Sequence, residues 1–170
     1  MKLKKNLVLL GMMGSGKTSI GLLTSKKLEL DFVDIDTEIE KELGMKISKI
    51  FDTKGEKYFR EIEEKITLKN LEKEECIISL GGGGFLNNNI RKEVLKNHYS
   101  FWLNWNFKTL VRRINNSKKR PLAFGVNTIE LIELIKKRSN IYSKALYKID
   151  CEKFSKTAIV NRITKIYETN

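Results

Sequence analysis

The sequence predicts an α/β fold of three layers, a parallel sheet with helices on both faces, and three observations support that reading. Short apolar β-branched runs alternate with longer amphipathic stretches, the pattern left by successive βαβ units. The first apolar run leads straight into a glycine-rich segment and then an amphipathic stretch. At 170 residues, with 41% hydrophobic and 32% charged side chains, the chain has the size and composition of one domain, taken as residues 1–170.

In chain order, strands are expected at 7–10, 32–34, 76–80, 100–103 and 148–151, each bounded by Gly, Asp or Asn. Helices are expected at 16–28, 36–43, 47–53, 56–72, 90–97, 108–115, 128–146 and 156–168. Asn127, with Glu130 three residues on, has the form of an N-cap and its capping partner, so the long helix is expected to begin there. Between residues 115 and 127 the chain is polar and basic, lacks periodicity and holds its single proline, Pro121. A stretch of that kind inside a compact domain is a candidate mobile lid, placed at about 116–126.

Gly11-Met-Met-Gly14-Ser15-Gly16-Lys17-Thr18 fits G-x-x-x-x-G-K-[ST], with an apolar strand before it and an amphipathic helix from Ser19 after it. Glycines allow the backbone to wrap until successive N–H groups point inward, and the helix N-terminus adds partial positive charge. The cradle therefore suits the phosphates of a nucleotide. Lys17 is expected to reach the β and γ phosphates and Thr18 to offer its hydroxyl to Mg²⁺.

The acceptor side is read from the rest of the chain. The chain lacks an Asn/Thr-Lys-x-Asp guanine-reading motif and a long insertion, so a small-molecule kinase suits the length better than a GTPase or a motor ATPase. Asp34 and Asp36 close the second strand, and in open α/β sheets ligands bind beyond strand C-termini. Strand alternation would put both carboxylates on one side, one to hold the metal or its water and one to accept a hydroxyl proton. A plain helix N-cap at Asp36 is the competing reading. After the third strand, Ser79 stands where many P-loop proteins place an aspartate, which shifts the metal onto Thr18 and Asp34. The glycines Gly81, Gly82, Gly83 and Gly84 that follow are more than a turn needs and suggest close approach to a ligand.

Composition narrows the classes. The net charge of +12 is uneven: residues 1–28 carry six bases and no acids, 29–75 nine bases and fifteen acids, and 76–170 eighteen bases and six acids. That pattern suits a polyanionic nucleotide with an acidic substrate, and no aromatic-basic motif favours nucleic acid as a partner. No apolar run approaches a membrane span, the basic start at residues 2–5 is followed by too short an apolar run for a signal peptide, and a cytoplasmic protein is expected. Cys76 and Cys151 lack metal-ligand spacing and His98 is the sole histidine, so reduced, packed thiols are expected.

Taken with the cradle, Phe32-Val-Asp34-Ile-Asp36, Ile50-Phe51 before Gly55-Glu56, Phe59-Arg60-x-x-Glu63, Ser79-Leu-Gly-Gly-Gly83, Arg120-Pro121-Leu122 and Arg138-x-x-x-Tyr142 resemble the shikimate kinase family over nearly the whole length. The resemblance implies a nucleoside-monophosphate-kinase-like fold with a five-stranded parallel sheet in the order 2-3-1-4-5. It also implies transfer of a phosphoryl group from ATP, the co-substrate, to the 3-hydroxyl of shikimate, with one Mg²⁺ per subunit, in a monomer. Residue by residue, it implies that Asp36, Arg60, Gly82 and Arg138 hold shikimate, Gly81 and Gly83 flank it, and Asp34 and Thr18 stand near the metal. Arg113 would lie along the nucleotide held by Gly11, Gly14, Ser15, Gly16, Lys17, Thr18 and Ser19. Arg120 would act from the lid, with Lys17 and Asp36 as its catalytic partners. Phe51 and Phe59 would wall the apolar ring face or simply fill the core. On local sequence alone Arg60 amid Glu61, Glu63 and Glu64, and Arg138 after Lys136 and Lys137, read as surface charges. One departure stands out: Arg-x-Pro-x-Tyr is expected where this chain has Arg138-Ser-Asn140-Ile-Tyr142, which removes a helix-breaking constraint beside the substrate arginine.

Overall fold

The computed structural model describes residues 5–116 and 127–170. Apart from Asn116, the predicted lid lies outside the described residues, and so does Arg120. The chain runs β1 (Leu7–Leu10), α1 (Lys17–Leu28), β2 (Asp31–Asp34), α2 (Ile35–Leu43), α3 (Ile47–Leu71), β3 (Cys76–Ser79), α4 (Asn88–Asn97), β4 (Tyr99–Asn104), α5 (Phe107–Asn115), α6 (Thr128–Tyr142), β5 (Tyr147–Asp150) and α7 (Lys156–Glu168). Short 3₁₀ turns at Gly84–Leu86 and Cys151–Lys153 complete it.

All strand pairs are parallel and the order is β2-β3-β1-β4-β5, as the resemblance implied. β1 is central and apolar at every position because both its faces are covered, as parallel strands require. Alternation divides it: Val8 and Leu10 enter a core with Ile39, Ile66, Ile90 and Ile135, from α2, α3, α4 and α6. Leu7 and Leu9 enter a second core with Ile20 of α1 and Ile159 and Ile163 of α7. These two cores on opposite faces are the three-layer arrangement. β1 has β3 on one side and β4 on the other, so the crevice beyond its C-terminal end is the topological switch point where such sheets bind ligands.

Several element ends move for identifiable reasons. α4 starts two residues before the prediction because the Asn87 carboxamide accepts from the N–H groups of Asn89 and Ile90. The predicted helices 47–53 and 56–72 form one run broken at Gly55, whose φ of 82° and ψ of 170° leave the helical region. Asn127 and Glu130 form the expected capping box, but α6 stops at Tyr142, four residues short of the prediction. Leu146 N–H instead donates to Ser100 Oγ at 2.9 Å, turning the chain into β5. Both cysteines are free and buried, their thiols pushed up to about 11 and about 12 by burial. Among the described residues no helix is long and apolar enough to cross a membrane.

Candidate active site

The site begins where β1 ends. Gly16, at φ 87° and ψ 20°, caps α1 in the left-handed region that glycine tolerates, turning the loop so that α1 points its N-terminus at a cavity of about 250 Å³. Gly14, Gly16, Lys17, Thr18 and Ser19 line that cavity, with Asp34, Asp36 and Ser79 opposite. Lys17 is 9% exposed and donates to the carbonyls of Gly11 and Met12 at 2.9 and 3.1 Å, so the loop's own backbone holds the cation at the cavity. Ser15 faces away from the cavity lining and its Oγ is buried.

The two aspartates are placed by a different local geometry from the one expected. β2 stops at Asp34, whose carboxylate caps α2 by accepting from Thr37 N–H at 3.2 Å. Its other oxygen accepts from the Thr18 hydroxyl at 2.6 Å. The N-cap weighed for Asp36 as the competing reading therefore belongs to Asp34. Strand alternation does not apply, since Asp36 sits in the first turn of α2, yet both carboxylates reach the same cavity. Burial, reinforced by repulsion from Asp34, pushes Asp36 up to about 6, with Lys17 pulling the other way.

Asp36, Met13 and Gly82 also line a second cavity of about 610 Å³, so the two spaces meet at those residues. Its wall includes Phe51, Phe59, Arg60, Glu63, Gly83 and Arg138. Phe51 and Phe59 pack with centroids 4.6 Å apart, and Phe59 is also core, so they serve as both wall and core. Arg60 is no surface charge: half-buried, it pairs with Glu63 at 2.7 Å and with Glu56 at 3.1 Å. Arg138 is 6% exposed and donates to Gly82 O at 3.4 Å, while its Nε is buried without a partner. Among the described residues no carboxylate lies within ion-pair distance of it. Tyr142 OH donates to the same Gly82 carbonyl. α6 runs on through Asn140, so Arg138 is fixed from Gly82 without the expected proline.

The glycine run is explained by its neighbours. A Cβ on Gly81 would stand 2.5 Å from Glu63 Oε1 and 2.8 Å from Asp36 Oδ1, and one on Gly83 would collide with the Arg60 guanidinium. The backbone is bare so that charged groups of α2 and α3 can close on it.

Three members of this site had no role assigned from the sequence, although Glu63 and Tyr142 stand in the motifs that carry the resemblance. Glu63 is 2% exposed, supports Arg60, and is pushed up by burial despite that arginine; its spacing from Arg60 was visible but its burial was not. Met13 lines both cavities, and Tyr142 shares the Gly82 carbonyl with Arg138. Arg113 lies outside both cavity linings and donates to Gly14 O at 3.3 Å from behind the loop.

A glycine-rich cradle at the switch point of a 2-3-1-4-5 parallel sheet, with a conjoined acid-lined cavity, defines a P-loop phosphotransferase of the nucleoside-monophosphate-kinase-like class. The sequence profile of the shikimate kinase family matches residues 13–168. Shikimate kinase of Thermodesulfovibrio yellowstonii is 41% identical over 165 residues, 96% of this chain and 95% of its own. That of Persephonella marina is 42% identical over 160 residues, 94% of this chain and 96% of its own. Among solved structures, shikimate kinase from Acinetobacter baumannii in complex with shikimate superposes with a TM-score of 0.91 at 27% identity, covering 99% of this chain and 96% of that one. Deoxyadenosine kinase from M. mycoides, at 15% identity and a TM-score of 0.63 over 96% of this chain and 99% of its own, shares the fold alone. The chain belongs to the shikimate kinase family.

Proposed function

We propose that the chain transfers the γ-phosphoryl group of ATP to the 3-hydroxyl of shikimate, giving shikimate 3-phosphate and ADP. The observation that carries this reading is Arg138, a buried guanidinium with an unpartnered Nε and, among the described residues, no carboxylate within ion-pair distance, in a cavity that joins the phosphate cradle at Asp36. A cation desolvated in this way calls for an anionic ligand, and a guanidinium fork suits a carboxylate. Shikimate offers one carboxylate and three hydroxyls on a ring with an apolar face. Arg138 and Arg60 would take the carboxylate, Phe51 and Phe59 the ring face, and Asp36 the hydroxyl that faces the cradle.

In the reaction, Lys17 would leave the carbonyls of Gly11 and Met12 for the β and γ phosphates, and Asp36 would orient the acceptor hydroxyl and take its proton. Thr18 and Asp34 fit Mg²⁺, since both present ligating oxygens at the cradle and the Thr18 hydroxyl, donating its hydrogen bond to Asp34, keeps its own lone pairs available to a cation. The cation, when bound, neutralises charge on the phosphates. The two buried free thiols support a reducing cytoplasmic setting.

The test is ADP release across a panel of small acids, with phosphorus NMR of the product. Shikimate- and Mg²⁺-dependent ADP release is expected, and equal turnover with water or gluconate would overturn the reading. A second expectation concerns the carboxylate grip. Arg60→Lys and Arg138→Lys should each weaken shikimate binding by about 10- to 150-fold, because a point charge loses a charge-assisted hydrogen bond of roughly 1.5–3 kcal/mol. Calorimetry should show ADP affinity almost unchanged. Equal losses for both ligands would move the arginines to the phosphate side.

A further inference from the structure

We propose that Trp105 is a nucleotide-positioning residue that fixes the Ser15–Gly16 peptide of the phosphate loop from behind. The inference rests on the kinase reading above and concerns a residue that no sequence motif marked. Trp105 follows the last residue of β4 and is half-buried between the two cores. Its indole Nε1–H donates to Ser15 O at 2.8 Å. The Arg113 guanidinium of α5 lies over the indole ring, 3.7 Å from the centroid, and donates to Gly14 O at 3.3 Å. One stacked pair thus holds two consecutive carbonyls of the loop, while neither of its members lines the phosphate cavity.

The consequence follows from peptide geometry. In a trans peptide the C=O and the next N–H point in opposite directions. With Ser15 O drawn back to the indole, the Gly16 N–H is turned toward the cavity that Gly16 lines. Gly16 itself does not enforce that choice, because glycine populates both signs of φ and nothing stands within 4 Å of where its Cβ would be. The Ser15–Gly16 plane could turn over and present its carbonyl oxygen to a phosphate. Turning it over would strip the half-buried indole N–H of its acceptor, and that loss selects the anion-binding orientation. Arg113 adds to the selection: stacked on the ring, it is kept flat against the loop and holds Gly14 O in the same direction. Phenylalanine at this position would keep the stack and lose the N–H, and leucine would lose both, so the two parts separate.

Calorimetry with MgADP on the intact protein tests the proposal. Trp105→Phe is expected to raise the ADP dissociation constant about 3- to 10-fold, the worth of one neutral hydrogen bond, and Trp105→Leu to raise it further. Shikimate binding, measured alone, should stay at its wild-type value in Trp105→Phe, and the KM for ATP should rise with the ADP constant. Wild-type ADP affinity in Trp105→Phe overturns the proposal, as does an equal loss of ADP and shikimate affinity. Should the leucine variant fail to fold, the unsubstituted protein still decides: ¹⁵N-labelled indole N–H signals, assigned through Trp102→Phe, should show the Trp105 proton exchanging slowly with ADP bound. Fast exchange there overturns it. A wild-type protein that binds no ADP, or releases none with shikimate, refutes the kinase reading itself, whatever Trp105 does.

Discussion

Replacing Lys17 by methionine is expected to lower kcat by at least about 10²- to 10³-fold, the scale seen when a preorganised charge donor is removed from a transition state. Lys17 is the first residue of α1, and its ammonium is buried at the mouth of the phosphate cavity. Charge spreads over the transferring phosphoryl oxygens in a loose transition state, so a fixed cation there acts with no reorganisation at the moment of transfer. Methionine keeps an unbranched stem and removes the charge. The loop loses the two hydrogen bonds from Nζ to Gly11 O and Met12 O, but the helix and core beneath are untouched, and folding should survive. Steady-state kinetics beside a thermal melt separate the two effects. A folded variant retaining more than about a tenth of the activity would remove Lys17 from the transition state.

The second large effect is expected at Asp36, and it has opposite signs for activity and stability. Asp36→Asn should cut kcat by about 10²- to 10⁴-fold, toward the lower end if orienting the hydroxyl matters more than taking its proton. The same change should stabilise the protein at neutral pH. The folded-state value, about 6, lies above the ordinary 3.8, so the unfolded chain gives up this proton more readily than the folded one. Stability contributed by this group is therefore full below pH 3.8, falls as pH rises toward 6, and stays low above it. The rise from 3.8 to about 6 corresponds to a penalty on the order of 3 kcal/mol above that pH, which a neutral amide removes. Melts of both proteins should thus diverge between pH 4 and pH 7, while wild-type kcat/KM falls off below about pH 6 as the carboxylate protonates. A variant both slower and less stable would return Asp36 to structural support. Asp34→Asn is the contrasting change: asparagine still caps α2, so the main result should be a raised Mg²⁺ requirement. A metal defect in Asp36→Asn, with Asp34→Asn defective toward the acceptor, would exchange the two roles.

What the sequence revealed and what it concealed divide along physical lines. The cradle was legible because glycine positions, the lysine and the flanking strand and helix are local and mutually consistent. The capping box at Asn127 and the break at Gly55 were legible for the same reason. The route by which Asp34 and Asp36 reach one side was misjudged, because alternation was carried past the end of a strand, and the residue that ends β2 is itself the cap of α2. Arg60 and Arg138 look like any charged helix positions from their neighbours. What sets them apart is burial against Glu63 and Gly82, contacts with chain separations of 3 and 56 residues, and only the resemblance pointed to them. Trp105 had no signal at all, since its partner carbonyl lies 90 residues away.

The junction of the two cavities at Met13, Asp36 and Gly82 bears on inhibitor chemistry. Because the same residues line both, one compound carrying an acidic ring and a phosphate mimic on a short tether past Asp36 could occupy both. Once its acid end is anchored on Arg138, the other end samples the cradle at an effective concentration in the millimolar range, set by the tether rather than by the dose. A short rigid tether passing Asp36 would convert two modest fragments into one tight ligand. Its selectivity would come from its acid end, which reads the buried Arg138 and not the phosphate cradle.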